Sequence, residues 1–334
     1  MADVARAAGV SMQTVSRVAN GLNNVQADTR RRVEEAMELL GYRPNRAARS
    51  LRSGRFNSIG VIVFTLSSFG NMRTLESIAS AATEAGYSIT LMSAPHRTQG
   101  DVTIAFARLR EQAVDGVIVV IESHILEEAD ITIPEGLPVV IIDSASRPDR
   151  ALVDTDQAQG ARLATEHLLS LGHETVWHIA GPKGSFSADR REAAWRETLL
   201  RAKRPVPAAL QGDWSADSGY ALGRQIVGRR EVTAVFSSND QMALGLLRAC
   251  HEVQRAVPRT LSVVGFDDMQ ASAQFWPPLT TVHQNFDEVG RATVHSLMRA
   301  IEGDPTPTQV VVPTRLVVRR STAAPTQPTS RTPS

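Results

Sequence analysis

The sequence predicts an α/β protein with a small helical head at the N-terminus and a larger two-lobed body built on parallel sheets. Three observations predict this fold. Residues 1–44 have the pattern of short helices, whereas from Ser58 onward short Val- and Ile-rich runs alternate with helical segments. Continuous apolar runs separated by helices are typical of parallel sheets covered on both faces. A strand, a helix and a closing Gly-Tyr or Gly-His recur in both halves of the body, which predicts two similar lobes.

The head (residues 1–44) is predicted to contain three helices. The segment DVARAAGV is helical up to Gly9, and Ser11 can cap the next helix, MQTVSRVAN. A third helix, DTRRRVEEAMELLGY, has its apolar residues at helical spacing. A helix, a tight turn and a second helix make up the helix-turn-helix plan, in which the second helix enters the major groove of DNA.

The charge of the chain is unevenly distributed. Residues 1–55 contain ten Arg and five acidic residues, a net charge of +5 (10 − 5), so the rest carries −4 because the whole chain carries +1. A basic end on a mildly acidic body is expected where one end binds a polyanion. A solvated charged face is the alternative interpretation.

Side chains on one face of the second helix suit base recognition. Gln13 can bond to base edges, Arg17 can bind guanine, and Met12 offers an apolar contact. Thr14 and Ser16 suit phosphate contacts. A three-helix packing module with a solvated Arg17 is the alternative. The predicted DNA-contacting set is Met12, Gln13, Thr14, Ser16, Arg17, Asn20, Arg46 and Leu51.

Residues 45–57 are predicted to form a linker or a hinge helix. The basic stretch RPNRAARSLRSGR has five Arg and one substantial apolar residue, Leu51. So short a helix is marginal in water and is expected to form only when bound. A DNA minor groove would accept its Arg side chains and Leu51 as an apolar wedge. A flexible basic tether is the alternative.

Residues 58–322 form the predicted body. The first lobe is expected to span about 58–155 and 286–310, and the second about 156–284 and 311–322. Ligand-binding groups of open α/β sheets lie at the carboxyl ends of strands, which here carry Asp143, Gly181, Asn239 and Asp267. Asp240 and Asp268, which follow directly, are expected to be helix caps. The Pro-, Ser- and Thr-rich tail, 323–334, is predicted to be disordered.

Composition excludes several classes of protein. The single cysteine, Cys250, cannot form an internal disulfide and is expected to be a buried, inert thiol. No segment reaches the roughly 20 apolar residues of a membrane span, and no signal peptide is recognisable, so a cytoplasmic protein is expected. No cofactor or metal site is predicted.

The segments DVARAAGVSMQTVSRVANG and TRRRVEEAMELLGYRPNRAARSLRSG resemble the DNA-binding head of the LacI/GalR transcription-factor family. The resemblance continues through SVVGFDD and PPLTTVHQNF, over roughly residues 1–322. It implies a body similar to periplasmic sugar-binding proteins, which closes over an effector between its lobes. It also implies a homodimer that binds double-stranded operator DNA, with a hinge helix that folds on the operator.

The resemblance also implies an effector site. Its carboxylates, guanidinium and amides would bind sugar hydroxyls, and its aromatic side chains would cover the apolar face of the sugar. This combination suits a sugar chemically, since a sugar presents vicinal hydroxyls and C–H faces. The implied residues are Asp143, Arg191, Trp214, Asn239, Asp267, Gln284 and Phe286.

The predicted function is a repressor that releases its operator when a sugar, best a β-galactoside, binds between the lobes. A purine or another sugar as effector is an alternative within the family. A two-lobed sugar-binding transport protein is a further alternative, but it predicts a signal peptide and no basic head. A glycoside hydrolase using Asp143 and Asp267 is disfavoured, since Arg191 between them would keep both carboxylates ionised. No enzymatic activity is predicted.

Overall fold

The head consists of three helices around a small apolar core. They are α1 (Ala2–Ala8), α2 (Met12–Ala19) and α3 (Ala27–Leu39). Gly9 ends α1 in the left-handed conformation, with φ of 63°, where glycine carries no steric penalty. The Ser11 hydroxyl accepts a hydrogen bond from the Thr14 amide at 3.1 Å and so caps α2, as the sequence predicts. The computed structural model describes residues 1–19, 24–42, 54–94, 98–120, 133–142, 151–304 and 309–326.

The chain divides into two compact units, Met1–Asn57 and Ser58–Ser334. The second unit is the body, and it contains two six-stranded sheets.

The first sheet has the strand order β11-β5-β4-β3-β1-β2, with every neighbouring pair parallel. Helices cover both faces, so strand residues of both parities are buried, and Val61 and Ile62 belong to different apolar clusters. Its strands are β1 (Ser58–Val63), β2 (Ser88–Ser93), β3 (Gly116–Val120), β4 (Val139–Ile142), β5 (Ala151–Thr155) and β11 (Gln309–Val312). Its helices are α4 (Phe69–Glu84), α5 (Gln99–Glu111) and α10 (Phe286–Ile301).

The second sheet has the order β12-β10-β9-β8-β6-β7, and only β12 runs antiparallel to its neighbour. Its strands are β6 (Trp177–Ala180), β7 (Leu210–Gln211), β8 (Ala234–Ser237), β9 (Ser262–Asp267), β10 (Thr280–His283) and β12 (Arg315–Val317). Its helices are α6 (Gln157–Ser170), α7 (Phe186–Arg201), α8 (Ala216–Ile226) and α9 (Asp240–Glu252). Trp195 on α7 is fully buried in this lobe.

The chain passes between the lobes three times: after β5, after β10 and after β11. The crossovers are hydrogen-bonded to one another. Thr314 in the third donates through its amide to the Gln159 side chain, at the start of α6, at 2.7 Å. Gln157 donates to Gln284 in the second crossover at 3.3 Å. The connections that a lobe movement would bend are therefore linked as one hinge.

Two further expectations have clear outcomes. Cys250 is buried in α9, and burial raises the pKa of its thiol to about 11, which confirms an inert side chain. The expectation of a disordered tail from 323 is wrong for residues 323–326. The Ala323 amide donates to the Ser262 hydroxyl at 3.0 Å, and the Thr326 hydroxyl donates to the Arg259 carbonyl at 3.2 Å. These backbone and hydroxyl contacts leave no trace in composition, which is why the sequence did not reveal them.

None of the helices in the described ranges is both long enough and apolar enough to span a membrane.

Candidate effector cleft and DNA-binding face

A cleft with about 620 Å³ of empty volume lies between the two lobes, at the carboxyl ends of both sets of strands. Six of the seven predicted effector residues line it: Arg191, Trp214, Asn239, Asp267, Gln284 and Phe286. The seventh, Asp143, follows β4 and lies outside the described residues. Side chains that are far apart in the sequence thus share one cavity, as parallel strand topology requires.

Arg191 is the cation in the floor of the cleft and is only 4% exposed. Its Nε donates to the Gln157 side chain at 2.8 Å, and its Nη1 donates to the Ser238 carbonyl. The guanidinium lies over the Phe266 ring, 3.8 Å from its centre. Hydrogen bonds and a cation–π contact therefore fix its orientation before any ligand arrives.

A chain of hydrogen bonds and one ion pair join Arg191 to the acid at the end of β9. Gln284 donates to Asp267 Oδ1 at 2.7 Å, and Gln157 donates to Gln284 at 3.3 Å. Arg191 Nη1 lies 3.9 Å from the same Asp267 oxygen. Because Gln157 and Gln284 stand in two interlobe crossovers, the network joins the cleft directly to the hinge.

Asp267 has an unusual backbone and an unusual environment. Its φ of 107° lies in a region that side chains rarely adopt, and such strain is common at functional sites. Burial raises the pKa of its carboxyl to about 6, while Arg191 and the hydrogen bond from Gln284 act in the opposite direction.

Asn239 has a structural role in addition to lining the cleft. It is the N-cap of α9, where its Oδ1 accepts the Met242 amide at 2.8 Å. Its Nδ2 donates to the Trp214 carbonyl at 2.9 Å. The amide therefore fixes the start of a helix and the backbone of the neighbouring tryptophan, and one N–H hydrogen and one oxygen lone pair remain for other partners.

Aromatic rings stand on both sides of the cleft. On the second lobe the Trp214 ring lies against Gly181, where a Cβ atom would come within 2.3 Å of it. On the first lobe Phe286, at the start of α10, contacts Phe69 edge to face with ring centres 6.0 Å apart. Only glycine at 181 allows Trp214 its position, so this strand-end residue contributes by having no side chain.

A buried histidine supports the floor of the cleft. His178 stacks between Trp195 and Phe236, with ring centres 5.0 and 4.7 Å away. Its Nδ1 lies 2.9 Å from the Phe236 carbonyl, which can only accept, so Nδ1 carries the hydrogen and Nε2 accepts from the Ser238 hydroxyl at 3.2 Å. Burial lowers the pKa of His178 to about 3. The neutral imidazole thus holds the residue whose carbonyl binds Arg191.

Sequence reasoning missed several residues of the cleft wall. Gln157 and Ser187 lie in the first turns of α6 and α7, and neither stands at a strand end. Ser68 caps α4 by accepting the Asn71 amide at 3.4 Å, and both line the cleft. A Ser before a helical pattern signals an N-cap, as Ser68 shows, but only the fold turns such a residue toward a cavity.

The face of α2 has the arrangement that the sequence predicts. Val15 and Val18 are buried against α1 and α3. Met12 is 58% exposed, Gln13 is also exposed, and Arg17 is partly exposed. Thr14 and Ser16 are partly buried. The predicted contacts Asn20, Arg46 and Leu51 lie outside the described residues.

Other Arg side chains of the head are engaged in surface ion pairs. Arg31 on α3 lies 2.7 Å from Asp28 and 3.6 Å from Glu35, and Arg6 lies 3.2 Å from Asp3. Arg17, by contrast, makes no ion pair with the residues that the structure describes. The solvated-face interpretation therefore fits α3, whereas α2 presents a cation with no ion-pair partner in the described part of the chain.

Comparison with known proteins identifies the family. A family model described as "Bacterial regulatory proteins, lacI family" matches residues 1–45, and one described as "Periplasmic binding protein-like domain" matches residues 165–322. The lactose operon repressor of Escherichia coli (strain K12) is 35% identical over 333 residues, which cover 98% of this chain and 92% of that protein. The chain belongs to the lacI family of bacterial regulatory proteins. Its predicted resemblance and fold class are thereby confirmed.

Other members of the lacI family are similar over nearly the same span. The HTH-type transcriptional repressor PurR of Haemophilus influenzae (strain PittEE) is 32% identical, covering 96% of this chain and 97% of PurR. A crystal structure of the lac repressor dimer bound to operator and the anti-inducer ONPF has a TM-score of 0.86 and 36% identity, covering 96% of this chain and 98% of that chain. A complex of the transcriptional regulator CelR with cellobiose has a TM-score of 0.71 and 30% identity, with the same coverage. These relatives are transcriptional regulators rather than enzymes.

Proposed function

We propose that this lacI-family regulator is a dimeric repressor that leaves its operator when a sugar occupies the cleft. The head supplies the DNA contacts, and the two lobes supply the sugar site. The observation that carries the sugar assignment is the combination of Arg191, Asp267 and Gln284 in one network with Trp214 and Phe286 on opposite walls. Paired donors and acceptors suit vicinal hydroxyls, and the rings suit the C–H faces of a pyranose.

The charges that line the cleft favour a neutral ligand. Among the described residues, the buried Arg191 and the partly exposed Arg190 are paired with two buried carboxylates, Asp267 and Asp154. A phosphate or an ammonium group would upset this balance, whereas a sugar would not. A β-galactoside is the preferred effector, because the lac repressor is the relative with the higher structural similarity of the two solved complexes.

Two alternatives remain within the family. Cellobiose is supported by the CelR complex, whose chain aligns over the same 96% of this one. A purine is the second alternative, and its flat ring would stack face to face on the Trp214 ring, whereas a sugar would place a C–H face against that ring. A dimer is supported by the lac repressor dimer, whose protomers share this fold.

The proposed mechanism uses the link between site and hinge. Arg191 is hydrogen-bonded to Gln157, and Asp267 is hydrogen-bonded to Gln284. A sugar that binds Arg191 and Asp267 must rearrange these hydrogen bonds. Gln157 and Gln284 are also bonded to each other and stand in two of the crossovers. The lobe arrangement that binds sugar more tightly then gains population, and the paired heads lose their fit to the operator.

A ligand screen tests the sugar assignment. Thermal shift and calorimetry with methyl β-galactoside, cellobiose and a purine base should show binding of a sugar by the wild-type protein. Arg191→Ala should lower sugar affinity at least about 10- to 100-fold, since hydrogen bonds to a charged group contribute about 1.5–3 kcal/mol. Operator affinity in the absence of sugar should stay within about threefold.

Arg196→Ala is the matched control, because Arg196 lies on the same helix but is half exposed and pairs with Glu192. It should leave sugar affinity unchanged. Stabilisation by the purine and by neither sugar would contradict the proposal. Loss of operator binding together with sugar binding in Arg191→Ala would indicate misfolding instead.

A further inference from the structure

Asp154 is a buried carboxylate of the cleft wall with one oxygen unaccounted for. It stands near the carboxyl end of β5, in the first lobe, and its side chain is only 7% exposed. Its Oδ2 accepts a hydrogen bond from Arg190 on α7, which belongs to the second lobe. Its Oδ1 accepts a hydrogen bond from none of the residues that the structure describes.

An unpaired buried carboxylate oxygen is energetically unfavourable. Nearly all buried polar atoms of folded proteins have a hydrogen-bond partner, and leaving one without a partner is costly, more so for a charged group. Oδ1 is buried, and no described residue supplies the missing hydrogen, but Asp154 lines the cleft, where a bound ligand can supply it. The site therefore lacks a donor that a ligand can bring.

The surrounding charges indicate what kind of donor fits. Arg190 already neutralises Asp154, and Arg191 lies 3.9 Å from Asp267. A cationic ligand would add a positive charge beside two carboxylates that each already have an arginine partner, whereas a hydroxyl donates a hydrogen and adds no charge. The surrounding charges therefore favour an uncharged donor, and a sugar supplies one in each of its hydroxyl groups.

We propose that Asp154 is a further effector-binding residue, which accepts a hydrogen bond from a sugar hydroxyl through Oδ1 while it holds Arg190 of the other lobe through Oδ2. The proposal rests on the sugar function proposed above and extends it to a named acceptor. One carboxylate then contacts the ligand and both lobes, so sugar binding strengthens or weakens an interlobe ion pair directly. Neither Arg191 nor Asp267 has this arrangement, since both stand in the second lobe.

A thermodynamic cycle with deoxy sugars tests the proposal. Calorimetry would first compare methyl β-galactopyranoside with methyl β-glucopyranoside. The sugar that the wild-type protein binds more tightly is the parent sugar, and its 2-, 3-, 4- and 6-deoxy derivatives are then measured. For one derivative the wild-type protein should lose about 10- to 100-fold in affinity. Asp154→Asn should bind the parent sugar more weakly by a similar factor. When Asp154→Asn is measured with the same derivative, its affinity should be less than about threefold lower than for the parent sugar, because the hydrogen bond is already gone.

Arg190→Gln separates the ligand contact from the ion pair. It keeps the Asp154 carboxylate, so the wild-type protein's sensitivity to the same deoxy position should persist. Arg196→Ala, exposed on the same helix, should behave as the wild-type protein does with every derivative. Thermal melts without ligand would verify that each variant is folded.

The outcomes distinguish the two proposals. If the loss of affinity caused by Asp154→Asn added to the loss caused by every deoxy derivative, Asp154 would bind none of these hydroxyls. That result would overturn the role of Asp154 and leave the sugar function standing. If Arg190→Gln became as insensitive to the deoxy position as Asp154→Asn, the role of Asp154 would also be overturned, since loss of the ion pair alone would then explain the effect. Failure of the wild-type protein to bind either parent sugar would overturn the sugar function itself, and the role of Asp154 with it.

Discussion

His178 is the residue whose titration is easiest to separate from the rest of the molecule. Burial between two aromatic rings lowers its pKa from 6.5 to about 3 in the folded protein. In the unfolded chain the imidazole takes up a proton below about pH 6.5, while the folded protein does not. The contribution of this group to stability is therefore complete above pH 6.5 and is lost as the pH falls toward 3.

Replacing His178 by Gln removes this titration. Between pH 7 and pH 5 the wild-type protein should lose about 2 kcal/mol of unfolding free energy through His178. His178→Gln should lose no unfolding free energy by this route. The difference in unfolding free energy between the two proteins should therefore narrow by about 2 kcal/mol from pH 7 to pH 5. Asp240 and Asp267 have raised pKa values and act in the opposite direction, but both proteins contain them.

Urea denaturation at the two pH values measures the difference. His178→Asn is a second variant, in case the longer amide does not fit between the rings. A stability difference that stays constant from pH 7 to pH 5 would show that the folded protein also accepts the proton.

Single residues also show where sequence reasoning fails. Asp240 was expected to cap a helix, but Asn239 is the cap, and the expectation is wrong. The Asp240 carboxylate is instead buried and accepts the Met269 amide at 2.9 Å and the hydroxyls of Ser272 and Thr281 at 2.6 Å. A cap and a buried acceptor have the same sequence signature, a polar residue after a strand, and only the fold brings the distant donors together.

At the scale of elements, the recognition helix gives the next prediction. Val15 and Val18 anchor α2, which leaves Arg17 partly exposed without an intramolecular ion pair among the described residues. Arg17→Ala should reduce operator affinity by about 1–3 kcal/mol, or roughly 5- to 150-fold, if the guanidinium binds a base edge.

Arg31→Ala is the matched control in the same head. It removes the same charge from α3, where Arg31 already pairs with Asp28 and Glu35. Fluorescence anisotropy at one fixed salt concentration, with a duplex that the wild-type protein selects from a random pool, would compare the variants. Equal losses for both would mean that only net charge matters, and Arg17 would then be a solvated side chain.

The strands show which elements the sequence could reveal. The apolar runs that became β1, β3, β4, β6, β8 and β9 are central strands with both faces covered, so every residue is under selection for burial. β2 is an edge strand with several exposed positions, and Leu91 is 42% exposed. β5 contains Asp154 among its apolar residues. Edges and functional side chains interrupt the apolar pattern, so these strands escaped detection.

The same reasoning applies to the effector cleft. Arg191, Trp214, Asp267, Gln284 and Phe286 could be named from local motifs that resemble those of the family. Gln157 could not, because a glutamine at a helix start has no distinctive pattern. Its role comes from lying between Arg191 and Gln284, which only the interlobe geometry creates.

At the scale of the whole molecule, three crossovers join the lobes, and two of them carry cleft residues. Thr314 in the third crossover is bonded to Gln159, two residues beyond Gln157. A ligand that shifts the Gln157–Gln284 contact therefore acts on all three connections together. Such coupling requires a difference in sugar affinity between two lobe arrangements, typically about 1–3 kcal/mol.

Linkage makes this coupling measurable from both sides. Each dimer has two sugar clefts for one operator. If saturating sugar lowers operator affinity by a factor of about 5 to 150, saturating operator must lower the product of the two sugar binding constants by that factor, which is its square root for each of two equivalent clefts. Anisotropy with labelled operator gives the first factor, and calorimetry of the operator-bound dimer gives the second. Arg191→Ala, whose sugar affinity is expected to be at least about 10- to 100-fold lower, should need correspondingly higher sugar concentrations to show either effect. A sugar that binds more tightly to the operator-bound protein would reverse the sign of the coupling and make it a corepressor. A mismatch between the operator factor and the product over the two clefts would mean that sugar and operator also act on a third state, such as the dissociated monomer, because the cycle of one dimer with one operator and two sugars closes on a single total coupling free energy.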